Sequence, residues 1–176
     1  MTDAPPGSPV SAFDFGDGPV PAHRHINRDG SPGGWVADTA HVASTARVTS
    51  DARVSGDARV TDTAWVADNA WVFGDARVTD DAWVTDNAWV FGNARVSGDA
   101  WVSDDARVTG DAWVSCTARV FGDAWVSGAA RVFDTAWVSG DAWVAGTARV
   151  FGTARVFGTA WVAGGARVAD NAWVSE

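Results

Sequence analysis

The sequence predicts an all-β protein, a triangular β-solenoid of parallel coils, and three observations support this fold class. The chain repeats every six residues without an insertion from Gly34 to Glu176, which makes 24 consecutive hexapeptide units, the last of them one residue short. Val fills the third position of all 24 hexapeptides, and Ala fills the first position of 23. Glycines at the fifth position recur in every third hexapeptide. Short strands joined by corners, three to a coil, account for all three observations.

The composition excludes several other classes of protein. The 176 residues include no Leu, Lys, Gln or Tyr, whereas Trp occurs 12 times and all 13 basic residues are Arg. A mixed core of the usual kind is therefore excluded. The net charge of −9 leads us to expect neither a nucleic acid nor a membrane as partner. The chain lacks a long apolar run and a signal-peptide pattern, so a cytoplasmic or particle-associated protein is the default expectation.

Residues 1–33 differ from the repeat and contain every Pro of the chain. We expect residues 1–11 to be a flexible tail. Residues 13–26 contain enough apolar side chains, Phe13 and Phe15 among them, to pack on the first coil. Because the terminal repeat of a solenoid needs covering, residues 1–33 are predicted to form a tail and an N-terminal cap. Residues 34–176 are predicted to form the solenoid.

Each hexapeptide predicts a short strand followed by a corner. In a triplet such as Ala100-Trp101-Val102, alternate side chains point to opposite sides, so Ala and Val share the inside. The second position is Trp 12 times, Arg 11 times and His once, and these side chains face outward. The fifth and sixth positions are mostly Gly, Asp, Thr and Asn, which suit corners.

The fifth-position glycines determine the number of hexapeptides in a coil. One of three corners has Gly in 7 of its 8 coils, whereas a two-hexapeptide coil divides the same glycines evenly. The chain therefore predicts about 8 coils of about 18 residues, roughly 38 Å long at about 4.8 Å per coil. The glycines of this corner are Gly56, Gly74, Gly92, Gly110, Gly128, Gly146 and Gly164.

The repeat resembles that of the hexapeptide-repeat family, whose fold is the left-handed parallel β-helix. Val54 and Ala58 match the family's aliphatic and small positions, although Gly56 comes one residue later than the family's glycine. The resemblance covers residues 34–176 and implies a left-handed coil. The family includes acyltransferases and γ-class carbonic anhydrases, which are zinc enzymes and often trimeric. Their interrupting loops are missing from this repeat.

Three histidines are the weak candidates for a metal site: His23, His25 and His41. His23 and His25 are placed to share one side of a strand, but the spacing to His41 does not match the family's zinc site. We therefore expect no cofactor, no metal and no catalytic residue. Calcium binding at the corner aspartates and ice binding at the corner threonines are further alternatives with weaker support.

The outward column is the principal candidate for function, because Trp and Arg are enriched where proteins bind partners. With three hexapeptides to a coil, Trp65, Trp83 and Trp101 form a vertical run on one face. Stacked Trp and Arg side chains would also stiffen the rod through cation–π contacts. The candidate interaction residues are Trp65, Trp83, Trp101, Trp71, Trp89, Arg59, Arg77, Arg95, Trp173 and Val174.

The sequence therefore predicts a non-catalytic structural or interaction protein that self-associates or presents its Trp/Arg ladders to a protein. A glycan-binding module and a hexapeptide-repeat acyltransferase or zinc lyase are the alternatives. The repeat continues through Trp173 and Val174, which leaves the edge of the last coil open for pairing. We expect an end-to-end dimer through this edge, with a face-to-face trimer as the second choice.

Overall fold

A computed structural model describes residues 11–176. The predicted flexible tail falls almost entirely outside this range. The described part of the chain is all-β and contains no helix, so it has none that is long and apolar enough to cross a membrane. Its strands form three parallel sheets with eight solenoid strands each. The predicted fold class, with eight coils of three hexapeptides each, is confirmed; the left-handed sense stays a prediction.

The three sheets are the three faces of the solenoid. Face 1 contains β3 (Pro32–Ala37), β6 (Arg53–Val54), β9 (Trp71–Val72), β12 (Trp89–Val90), β15 (Arg107–Val108), β18 (Trp125–Val126), β21 (Trp143–Val144) and β24 (Trp161–Val162). Face 2 contains β4 (His41–Val42), β7 (Arg59–Val60), β10 (Arg77–Val78), β13 (Arg95–Val96), β16 (Trp113–Val114), β19 (Arg131–Val132), β22 (Arg149–Val150) and β25 (Arg167–Val168). Face 3 contains β5 (Arg47–Val48), β8 (Trp65–Val66), β11 (Trp83–Val84), β14 (Trp101–Val102), β17 (Arg119–Val120), β20 (Trp137–Val138), β23 (Arg155–Phe157) and β26 (Trp173–Ser175).

Val and Ala form the core, as predicted. From Ala46 to Ala160, every first-position Ala and every third-position Val has no exposed surface. The backbone holds successive coils together: the Trp83 amide donates to the Ala100 carbonyl at 2.9 Å, and the Thr85 amide donates to the Val102 carbonyl at 3.0 Å. Because each strand pairs in register with the equivalent strand of the next coil, outward side chains stack in straight columns.

The corners depend on the left-handed backbone conformation. Every fifth-position residue from Ser50 to Asp170 has a φ between 55° and 71°. At Gly56 an added Cβ would lie 2.9 Å from the Gly74 amide nitrogen, and the glycines of the other two corners approach the next coil as closely. Aspartate takes the same conformation elsewhere and adds a bond, since the Asp104 carboxylate accepts from the Gly122 amide of the next coil at 3.0 Å.

The segment before the repeat covers part of the first coil. β1 (Ala12–Asp14) and β2 (Pro19–Ile26) pair antiparallel, and β2 pairs antiparallel with β3 on face 1. On face 3, the Asn27 side chain replaces a preceding strand: its Oδ1 accepts from the Val48 amide at 3.1 Å, and its Nδ2 donates to the Val48 carbonyl at 3.3 Å. Side chains therefore satisfy backbone groups that a preceding coil would otherwise bond.

The last coil lacks such a cover within residues 11–176. Each of its strands, β24, β25 and β26, pairs with one neighbour only. Ala166 and Ala172 are exposed although their counterparts in earlier coils are buried. Trp161 and Trp173 are each 67% exposed. Within residues 11–176, the edge of the last coil is therefore unpaired.

Candidate interaction surface

The outward column divides unequally among the three faces. Faces 1 and 3 carry 11 of the 12 Trp, and face 2 carries His41, Trp113 and six Arg. The predicted interaction residues therefore do not form one site. Trp71 and Trp89 lie on face 1, and Arg59, Arg77 and Arg95 lie on face 2. Trp65, Trp83, Trp101 and Trp173 share face 3.

On face 3 the outward side chains form an unbroken ladder over all eight coils. Each neighbouring pair is in aromatic or cation–π contact, with centroid distances between 4.5 and 5.9 Å. We call this series of residues the face 3 ladder. Its members are Arg47, Trp65, Trp83, Trp101, Arg119, Trp137, Arg155 and Trp173.

Most indole groups contact a hydroxyl group or a Phe ring of the preceding coil. The Trp101 Nε1 donates to the Thr85 hydroxyl at 3.2 Å, and the Trp113 Nε1 donates to the Ser97 hydroxyl at 3.3 Å. Where the fourth position of the preceding coil is Phe, as at Phe121 below Trp137, the rings meet edge to face at 6.1 Å. The constant spacing between a Trp and the fourth position of the preceding coil could have been found in the sequence, although Ala67 and Ala145 occupy that position before Trp83 and Trp161.

Face 1 contains a second run of three Trp, which the sequence analysis missed. Trp125, Trp143 and Trp161 are stacked nearly parallel, with centroids 5.2 and 5.6 Å apart and interplanar angles of 11° and 13°. This run is as long as that of Trp65, Trp83 and Trp101 on face 3. This run could have been predicted from the register alone, because the three Trp are separated by three hexapeptides each, the length of one coil.

Face 2 is the arginine-rich face. Arg59, Arg77 and Arg95 are exposed and lie on successive strands, with His41 before them. Within residues 11–176 no Arg nitrogen lies within 4.0 Å of a carboxylate, since the single ion pair joins His23 and Asp38. The arginines of all three faces are therefore available to an anionic group from outside.

Two shallow slots, each lined by two Trp, an Arg, a Ser and at least one Phe, open on face 3. The first slot, with a volume of about 270 Å³, is lined by Trp101, Ser103, Asp104, Arg119, Phe121 and Trp137. The second slot, of about 280 Å³, is lined by Phe121, Trp137, Ser139, Arg155, Phe157 and Trp173. In each slot two Trp stand two coils apart with an Arg between them, and the two slots share Phe121 and Trp137. The sequence analysis did not select Arg119, Trp137 or Arg155, although Trp and Arg alternate on this face from Trp101 to Trp173.

The three candidate histidines have different surroundings. The His23 Nδ1 is 2.9 Å from Asp38 Oδ1, and His41 is exposed on face 2. His25 is buried, with its Nε2 3.3 Å from the Ala46 carbonyl. Burial lowers the pKa of His25, the Ala46 carbonyl opposes this, and the nearby His23 lowers the pKa further. Residues 11–176 contain no group of three His, Cys, Asp or Glu side chains that could hold a metal ion.

Comparison with known families supports the β-solenoid repeat. The sequence profile of a family described as "YdcK Beta solenoid repeat" matches residues 52–68, 88–104 and 100–115. These stretches make up less than half of the chain, so the chain is similar to that family in its repeat. The more specific resemblance to the hexapeptide-repeat family stays a prediction. Comparisons with curated proteins and with solved structures found no match.

Proposed function

We propose that this chain is a non-catalytic β-solenoid rod whose outer Trp/Arg columns are a contact surface. The observation that carries the proposal is the face 3 ladder, in which eight outward side chains touch one another in sequence. Trp83 and Trp101 on this ladder retain 41% and 40% of their surface exposed. Large exposed apolar surfaces mark partner sites, and Trp and Arg dominate binding hot spots.

The unpaired arginines favour a contact surface over a purely stabilising role. A guanidinium stacked on an indole is held in place, yet its N–H donors in the described chain bond no carboxylate. Cation–π stacking at exposed sites is worth about 0.5–1 kcal/mol, which stiffens the rod without using those donors. A partner with acceptor groups would complete the hydrogen bonding of the ladder.

Trp101 and Trp113 provide a matched pair of variants for testing this contact surface. The two indoles are equally exposed, at 40% and 39%, and both donate to a hydroxyl of the preceding coil. Only Trp101 belongs to the face 3 ladder. Sedimentation velocity over a concentration series should show weaker self-association for Trp101→Ser than for Trp113→Ser at similar melting temperatures. Equal self-association of the two variants would contradict a role for face 3 in association.

We propose a second contact, an end-to-end dimer through the edge of the last coil that is unpaired within residues 11–176, with a face-to-face trimer as the alternative. Gly165→Lys would place a charge at this edge, where an added Cβ lies 3.9 Å from the Thr147 hydroxyl and fits without strain. Thr147→Lys, one coil earlier in the same column, is the matched control. A dimer that Gly165→Lys dissociates and Thr147→Lys retains would support the end-to-end contact. A dimer or trimer that both variants retain would contradict it.

The non-catalytic part of the proposal is tested by a metal analysis combined with acyl-CoA and bicarbonate activity assays. We expect neither stoichiometric zinc nor turnover. Detection of stoichiometric zinc, or of turnover in either assay, would favour the alternative of an acyltransferase or zinc lyase.

A further inference from the structure

Two arginines of the face 3 ladder are each held between two tryptophans. The Cζ of Arg119 lies 5.6 Å from the ring centroid of Trp101 and 5.4 Å from that of Trp137. The Cζ of Arg155 lies 4.5 Å from the centroid of Trp137 and 5.3 Å from that of Trp173. A guanidinium held on both sides loses little conformational freedom when it binds an anion, so both arginines are preorganised.

The donors of both guanidinium groups are unused within the described chain. Neither Arg119 nor Arg155 has a carboxylate within 4.0 Å among residues 11–176, and both side chains are exposed. Each lines one of the two slots on face 3 together with the indoles on either side. An arginine fork can donate two parallel hydrogen bonds to the oxygens of one carboxylate, so each slot has the donors to bind one such group.

The spacing of the slots selects the kind of ligand. Successive coils are about 4.8 Å apart, so the two slots repeat at about 10 Å. Side chains on one side of a β-strand repeat at about 6.6 Å, which does not match this spacing. An acidic peptide in the polyproline II conformation repeats at about 9.3 Å, so poly-glutamate is the comparison ligand in the test below. Each slot is smaller than the pocket of a typical small-molecule ligand, which favours a polymer that occupies both. A β-linked polysaccharide in its extended form advances by about the height of one coil per sugar.

The net charge of −9 belongs to the whole chain, whereas the exposed Arg119 and Arg155 have no carboxylate within 4.0 Å among residues 11–176. We propose that face 3 from Trp101 to Trp173 binds a linear polysaccharide in which acidic and neutral sugars alternate. The carboxylate of each acidic sugar binds Arg119 or Arg155, and the neutral sugars lie against Trp101, Trp137 and Trp173. This assignment rests on the proposed function as a contact surface and names its ligand. The alternation of Trp and Arg, one per coil, matches the alternation of the sugars.

One difference between the slots provides a variant that should gain affinity. Asp104 lines the first slot and brings a negative charge beside Arg119, whereas the equivalent position two coils later is Gly140, and no acidic residue lines the second slot. Asp104 has a φ of 57°, a conformation that glycine adopts without strain. Asp104→Gly should therefore raise the affinity for an acidic polysaccharide, an effect that misfolding does not produce.

The experiment is calorimetric titration of the full chain with a hyaluronan decasaccharide, in which glucuronic acid alternates with N-acetylglucosamine. We expect Arg119→Gln with Arg155→Gln to lower the affinity at least about tenfold. The matched control is Arg77→Gln with Arg95→Gln, which changes the net charge equally on face 2 and should alter the affinity less than about twofold. A neutral chitin oligosaccharide should bind at least about tenfold more weakly than hyaluronan.

Several results would overturn the assignment. These are undetectable hyaluronan binding, an equal loss of affinity in the face 2 double variant, equal binding of the chitin oligosaccharide, and tighter binding of poly-glutamate. Failure of the polysaccharide assignment can be distinguished from failure of the proposed function as a contact surface. If hyaluronan does not bind while Trp101→Ser still weakens self-association, the glycan assignment is wrong and the contact surface stands.

Discussion

At the scale of single residues, the narrow interior sets the alanine of each hexapeptide. Ala100 has no exposed surface and is surrounded by Val and Ala of its own and adjacent coils. We expect Ala100→Leu to destabilise the protein by about 1–3 kcal/mol, because a close-packed interior cannot admit three more carbon atoms. Ser103→Leu, at the partly exposed fourth position, should stay within about 0.5 kcal/mol of the parent. Similar melting temperatures for the two variants would contradict the core assignment.

Cys116 is the residue least suited to its backbone conformation. It has a φ of 61° in a column of corners otherwise filled, from Asp62 onward, by Asp and Gly. Asn tolerates this conformation, and its side-chain oxygen can accept from the next corner as aspartates do elsewhere. We expect Cys116→Asn to raise the free energy of unfolding by about 0.5–1 kcal/mol in urea titrations. Cys116→Val should lower it, since β-branched residues resist a positive φ; a gain with Val would contradict this explanation.

At the scale of elements, the cap depends on one buried amide side chain. Asn27 is 5% exposed and bonds both the amide and the carbonyl of Val48. Asn27→Ala leaves those two groups unpaired, and we expect a loss of about 1–3 kcal/mol. Asn69→Ala is the control, because Asn69 is exposed and bonds another side chain. Hydrogen exchange should accelerate at the Val48 amide in the first variant alone; a protected Val48 would contradict the capping role.

The same cap gives a pH dependence through His25. Burial, which is the larger cause, and the neighbouring His23 lower the pKa of His25 in the folded state. The unfolded chain therefore binds more protons below the ordinary histidine pKa of about 6.5, and stability falls as the pH decreases through this value. We expect the free energy of unfolding to decrease less between about pH 7.5 and pH 5 in His25→Gln, which keeps a donor for Ala46 but does not titrate. Equal decreases in both proteins would contradict this role.

The repeat elements could be predicted from sequence, whereas the contacts of the cap could not. Each hexapeptide carries its own strand and corner, so the period and the glycine spacing predict the coil without any long-range information. Asn27 and Val48 are far apart in the chain and share no pattern, so nothing in the sequence pairs them. The ladders lie between these cases, because the register places Trp101, Arg119 and Trp137 in one column but does not show that each neighbouring pair is in contact.

At the scale of the whole molecule, the fold is a one-dimensional stack in which each coil contacts its neighbours. The stability of such a stack is approximately the sum of its coils and their interfaces. In each hexapeptide after the first, the Ala at the first position and the Val at the third position point into the core, and the residue between them points outward. A change in chain length keeps this pattern and the stacking of the three faces only when whole coils are added or removed. We therefore expect the molecule to tolerate long deletions that keep the register and to be destabilised by short deletions that break it.

A pair of deletions tests this property. Deletion of residues 94–111 removes three whole hexapeptides, joins Asn93 to Ala112 and keeps every downstream Val facing inward. We expect a shorter rod that unfolds in one cooperative transition with a smaller m-value. Deletion of residues 93–111 removes one residue more and leaves a truncated unit that is too short for a strand and a corner. This protein should be less stable than the first by on the order of 3 kcal/mol in urea titrations, although it differs by a single residue. Equal stability of the two proteins would show that the corners, and not the six-residue register, absorb changes in chain length.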